Sequence, residues 1–129
     1  MAIWKLDLLY LGVGAVVGAY LRYKIGSEVV YIYGIPVTIL LINVLGSFAL
    51  GLSMTMVQKF GLNQGYIVLI GIGFCGSFTT MSSFAFEASN LLSAGEIAVG
   101  LADIGLNVGL SLVAIIVGRA LILLVGGLF

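Results

Sequence analysis

The chain has 129 residues, 62% of them hydrophobic and only 8% charged, with five basic and five acidic side chains that cancel. Soluble domains carry about 25% charged residues, so a water-soluble globular fold is excluded and lipid is the solvent left for these side chains. Zero net charge, no histidine and a single cysteine, Cys75, give no basic patch for nucleic acid and no cluster for a metal centre or a Cys/His enzyme.

A helix needs about 20 apolar residues to cross the hydrocarbon core. The length therefore accommodates four spans in one domain, residues 1–129, as an all-α, multi-pass protein of the cell membrane. The first span is predicted from Ile3 to Tyr23. Its apolar stretch is too long for a signal-peptide core, and Arg22 and Lys24 close it without a clear cleavage site, so it reads as a retained helix. Trp4, Tyr10, Tyr20 and Tyr23 lie toward its ends, where amphipathic rings favour the membrane interface. A connector running through Gly26 and Gly34 leads to Pro36, which suits the first turn of a helix because its missing N–H would be unpaired there. Helix two is predicted over Val37 to Val57, with a loop from Lys59 to Gly65 behind it. Helix three runs from Tyr66 to Leu92 with an interruption, Ser93 to Glu96 turn the chain, and helix four extends from Ile97 to Leu128.

Nineteen glycines call for a reason in a helical protein. The pairs Gly14/Gly18, Ser47/Gly51 and Gly105/Gly109 have the small-xxx-small spacing that lets membrane helices approach closely, and all three are expected to be packing sites.

The basic residues are nearly balanced. The N-terminus, second loop and C-terminus share one side, with Lys5, Lys59 and, if it snorkels, Arg119. The other side has Arg22 and Lys24. Basic-residue bias orients membrane proteins, so this balance permits insertion both ways and head-to-tail pairing. A one-charge excess setting a single orientation is the alternative.

Helix three holds the most unusual stretch. Gly71, Gly73 and Gly76 weaken the helix, and Ser77, Thr79, Thr80, Ser82 and Ser83 follow directly. In lipid, irregular backbone survives only where it is buried in protein or lines a polar cavity, and half-helix ends near the midplane can hold ions. Thr80, Ser83, Glu87 and Asn90 recur at helical spacing and share a face. A single hydroxyl could simply bond back to its own helix, but five beside a glycine run, with a carboxylate on the same face, favour a polar pathway. Asn43 stands near the middle of helix two with Ser47 one turn on. Asp103, Asn107 and Ser111 line up on helix four, with Asn107 reading best as an interhelical tether.

The run Gly73-Phe74-Cys75-Gly76-Ser77-Phe78-Thr79-Thr80-Met81-Ser82-Ser83-Phe84 followed by Glu87, the stretch Thr38 to Phe48 around Asn43, and the helix-one end Gly18 to Tyr23 resemble the CrcB, or Fluc, family of fluoride channels over nearly the whole chain. The resemblance implies four transmembrane helices with the third broken near the midplane, and an antiparallel, dual-topology dimer with two fluoride pores. It implies a structural sodium ion at the dimer centre, held by the backbone carbonyls of Gly76 and Thr79. It places Asn43, Met81, Ser82, Ser83, Phe84 and Glu87 along the fluoride pore. This chain departs from the family pattern at Met81, usually phenylalanine, and at Ser83, usually threonine. The serine keeps a hydroxyl, whereas the methionine replaces a ring edge with a flexible thioether. Two readings follow, a homodimer with one ring fewer per pore or a heterodimer with a paralogue that supplies the ring.

The chemistry suits a small, strongly hydrated anion. Asn amide and Ser/Thr hydroxyl groups can donate hydrogen bonds, and the positive edge of a phenyl ring can face an anion. No lysine or arginine near the midplane holds the ion too tightly to leave, and Arg22 is expected to anchor or recruit at a mouth. The expected function is passive fluoride exit from the cell, relieving fluoride toxicity, with no enzymatic activity. A small dual-topology multidrug transporter is the alternative, but that chemistry wants a carboxylate embedded in helix one, where only Asp7 stands, near the end.

Overall fold

A computed structural model describes residues 2–127, and side chains from Leu6 onward. The expected roles of the Trp4 and Lys5 side chains, and the far end of helix four at Leu128, lie outside the described residues. Helix α1 covers Ala2–Gly26, α2 Val37–Phe60, a π-helical segment Ile67–Cys75, α3 Gly76–Phe78, α4 Met81–Ser93 and α5 Ile97–Val125. Four stretches, Leu6–Gly26, Val37–Phe60, Ile67–Ser93 and Ile97–Val125, are long and apolar enough to cross a membrane. Their outer faces carry Leu8, Val16, Phe86 and Leu124 at 66–71% exposure, which only lipid tolerates at this density. The protein is a multi-pass membrane protein.

The connector after α1 is more ordered than a bare loop. Strands β1 (Tyr31–Ile32) and β2 (Ile35–Pro36) pair antiparallel, with Tyr31 opposite Pro36 and Ile32 opposite Ile35. Tyr33 and Gly34 between them both have positive φ, 51° and 83°, the pattern of a two-residue primed turn. Pro36 thus belongs to this hairpin and stands one residue before the first turn of α2, a correction to its expected place. Its φ of −76° suits either position, but ψ of 79° is not helical. Thr38 pins the hairpin by accepting from the Val30 amide (2.9 Å) and donating to the Glu28 carbonyl (3.3 Å). Helix α2 ends at Gly61, whose left-handed φ of 60° lets its N–H and that of Leu62 turn back to the Val57 carbonyl.

Packing pairs the helices out of chain order, with α1 against the π-segment and α3, and α2 against α5. Side chains added at Gly14 and Gly18 would strike the carbonyls of Leu69 and Phe74, and one at Gly51 would strike that of Ile115. Two of the three small-residue pairs therefore lie at real contacts. The third does not: Gly105 and Gly109 face open space within the protomer. The buried line of α5 is Gly100, Asp103, Asn107, Ala114 and Gly118, so these two glycines point away from α2 and α4. A small apolar core of Ile39, Phe84 and Ala88, extended by Ile104, joins α2, α4 and α5.

Candidate functional site

The glycine run does not end the third span's helix. Gly71 and Gly73 instead sit inside the π-segment, where each turn is wider than an α-turn. Helical geometry lapses later, at Thr79 (φ −71°, ψ 157°) and Thr80 (φ −146°, ψ 108°), both extended. Helix α4 then restarts with Thr80 as its N-cap, the side-chain oxygen accepting from the Ser83 amide at 3.1 Å.

Asn43 supports that lapse from across the bundle. The Thr80 N–H donates to Asn43 Oδ1 at 2.8 Å, and Asn43 Nδ2 donates to the Thr80 carbonyl at 3.3 Å. One side-chain amide thus engages both backbone polar groups of a single residue, accepting from its N–H and donating to its carbonyl. A continuing α-helix would send the Thr80 N–H to the Gly76 carbonyl and the Ser83 N–H to the Thr79 carbonyl. Both amides are engaged elsewhere, with Asn43 and with the Thr80 hydroxyl. The carbonyls of Gly76 and Thr79 are therefore released from their helical donors, and these are the two that the family resemblance singles out.

Four of the five hydroxyls divide into two groups. Thr79 Oγ1 donates to the Cys75 carbonyl one turn back at 2.9 Å, the ordinary behaviour of a helical threonine. Thr80, Ser82 and Ser83 form a cluster, with Thr80 Oγ1 at 3.0 Å from Ser83 Oγ and 3.3 Å from Ser82 Oγ.

Two cavities flank the Asn43–Thr80 clamp. One, of about 310 Å³, is lined by Asn43, Ser47, Gly76, Thr79, Met81, Phe84, Asn107 and Ser111. The other, of about 610 Å³, is lined by Arg22, Tyr23, Thr80, Ser82, Ser83 and Glu87. All eight expected site residues fall in one or the other: Asn43, Gly76, Thr79, Met81 and Phe84 in the first, Ser82, Ser83 and Glu87 in the second. Phe84 is 6% exposed and held in the apolar core, whereas Met81 is 72% exposed and turned outward. Asn90, on the same helical spacing as Ser83 and Glu87, lines neither cavity.

Glu87 has a partner that its spacing does not reveal. The Tyr31 hydroxyl, on the hairpin, donates to Glu87 Oε2 at 3.2 Å. Desolvation, then the negative charge of Glu87 and this hydrogen bond, hold the Tyr31 phenol above its ordinary pKa. The phenol therefore keeps its proton, and the bond, through neutral and mildly alkaline pH. Asn107 is the interhelical tether expected of it, accepting from Asn43 Nδ2 at 3.1 Å. Tyr31 gives no sequence signal, since its strand is two residues long.

Residues 9–119 match the family described as CrcB-like protein, Camphor Resistance (CrcB). The chain is 43% identical over 116 residues to a protein of Nitrosopumilus maritimus named fluoride-specific ion channel FluC, covering 90% of this chain and 92% of that one. A protein of the same name from Methanococcus aeolicus is 37% identical over 113 residues, 88% of this chain and 92% of the relative. One from Deinococcus radiodurans is 39% identical over 116 residues, with 88% and 92% covered.

Proposed function

The chain belongs to the CrcB-like family, and from that premise we propose that it is a fluoride-specific ion channel, a passive exit for fluoride from the cell. The observation that carries the reading is the Asn43–Thr80 clamp, with every expected pore residue lining one of the two cavities beside it. The similar proteins named as fluoride channels supply the ion.

In this reading the lapse at Thr79–Thr80 is a break near the bilayer midplane. Two protomers pack head-to-tail there, which the near balance of basic residues allows. Gly76 and Thr79 would hold a sodium ion, and the fit rests on their carbonyls having lost their helical donors. A cation at that point supplies fixed positive charge between the protomers. Fluoride enters past Arg22 in the larger cavity and meets the hydroxyls of Ser82 and Ser83, then Asn43 and the ring edge of Phe84. Both Asn43 N–H groups are occupied in the protomer, by the Thr80 carbonyl and Asn107, so the ion displaces one of these acceptors as it passes. Such an exchange keeps each state satisfied and binding shallow enough for release.

Met81 is compatible with a homodimer, which we place ahead of the heterodimer. A side chain 72% uncovered within its protomer is free to meet a partner, and nothing in its surroundings requires a ring. The multidrug-transporter alternative drops out with family membership.

Efflux from liposomes containing only this chain tests the function. Fluoride should leave much faster than chloride. Equal rates, or no efflux, would count against a homodimeric channel, and in the second case recovery on adding a paralogue would establish the heterodimer.

A further inference from the structure

Asp103 has no place in the proposed pathway, yet it is 0% exposed and lies inside the membrane-spanning stretch Ile97–Val125, within two turns of its start. An ionisable residue at such a position is costly and marks function more often than packing. Its Oδ1 accepts from Asn107 Nδ2 at 2.9 Å, while Oδ2 has no hydrogen-bond partner among the described residues.

The role of the carboxyl group is set by the hydrogen bonds that begin at Thr80. The Thr80 N–H can only donate, so it fixes Asn43 with Oδ1 toward Thr80. That turns Asn43 Nδ2 toward Asn107, which must answer with Oδ1 at 3.1 Å. Asn107 Nδ2 is then directed away, and it needs acceptors. Asp103 supplies two, its side-chain Oδ1 at 2.9 Å and its backbone carbonyl at 3.3 Å. A donor-only group at one end and a carboxyl acceptor at the other impose the same sense on both amides. Without the carboxyl group Asn107 Nδ2 keeps only the longer bond, to the Asp103 backbone carbonyl, beside a cavity Asn107 already lines, and the side chain can swing into it.

The geometry points to Asp103 as a positioning residue for conduction: it holds Asn107, and through Asn107 the amide of Asn43 that clamps Thr80. The effect on flux rests on the channel reading above, whereas the effect on Asn43 does not. Two measurements separate them, both on the purified full-length chain.

The first is the side-chain amide NMR signal of Asn43 in detergent micelles. Asp103→Leu should shift it, and Asp103→Asn, which keeps an acceptor in place, should leave it near the wild-type position. An unmoved signal in Asp103→Leu overturns the proposal, whether or not the protein conducts fluoride. The second is fluoride efflux. Asp103→Leu should lower flux about tenfold, the effect of one lost hydrogen bond to a charged group, and Asp103→Asn should lie within about twofold of wild type. Contacting groups are coupled, so in an Asn43→Ala background Asp103→Leu should add less than about twofold. The same factor in both backgrounds overturns the role. If Asp103→Leu does not fold, an exchange decides. Asn107→Asp alone sets two carboxyl groups together and should lose flux. Combined with Asp103→Asn it again pairs one donor with one acceptor, in the reversed sense and with an acceptor still facing Asn43 Nδ2, and failure to recover flux overturns the proposal.

Discussion

Asn43 does two jobs that a single substitution will expose together. Asn43→Ala leaves the Thr80 N–H and Asn107 Oδ1 without their partner, and a buried group left unpaired costs about 1–3 kcal/mol. The melting temperature in detergent should drop and fluoride flux should fall roughly ten- to a hundredfold. Normal flux at reduced stability would mean that the clamp is structural only. Phe84→Ile separates ring chemistry from packing. Phe84 is buried against Ile39, Ala88 and Ile104, and volume-conserving apolar exchanges there usually cost under about 1.5 kcal/mol. Flux should therefore slow in a protein that unfolds near the wild-type temperature. Met81→Phe is the complementary gain. With Met81 72% exposed, a larger side chain meets no overpacking within the protomer, so the variant should fold as wild type and conduct at least as fast. A loss of flux would place Met81 in a tight contact with the partner copy.

At the level of helices, equal spacing conceals unequal roles. Gly14 and Gly105 both open a small-xxx-small pair, but only Gly14 lies under a neighbouring backbone carbonyl. Gly14→Ala should destabilise the protein by about 1–3 kcal/mol through overpacking. Gly105→Ala should be neutral or raise stability by up to about 1 kcal/mol, since alanine is the better helix former. Thermal unfolding of the two variants side by side checks this, and a loss at Gly105 would show that its face is covered by another copy. The four spans were legible because each is a long apolar run that only a membrane helix explains. Asn43, Phe84 and the hydroxyl cluster were legible through the family motif. The clamp itself was not, because Asn43 and Thr80 are 37 positions apart and nothing local couples them. The hairpin was hidden for a different reason: a primed turn favours Asn-Gly or Asp-Gly, and Tyr33-Gly34 carries only half of that signature. The glycine run misled in position, since it widens the helix and leaves the lapse to the two threonines that follow.

For the whole molecule, orientation is the property most open to test. Lys5 and Lys59 against Arg22 and Lys24 leave almost no bias, so a population of chains should insert both ways. Asn63 lies exposed in the loop after α2, and Asn63→Cys should be labelled by a membrane-impermeant thiol reagent from both faces of the membrane. The native Cys75 is buried and should stay silent, which provides the background. Labelling from one face only would sink dual insertion and favour two chains of fixed, opposite orientation.

The pairing of α1 with the third span, past α2, also bears on how the protein is made. About 55 residues separate Gly14 from Leu69, the carbonyl it lies beneath. Ribosomes add roughly 5–20 residues per second, so the glycine face of α1 waits on the order of 3–11 seconds in the bilayer before its partner is synthesised. During that interval a bare small-residue stripe is open to any other newly inserted helix. Crowded translation of this chain should therefore favour mispaired α1 contacts, and slowed initiation should raise the yield of correctly assembled protein more than slowed elongation, which lengthens the wait.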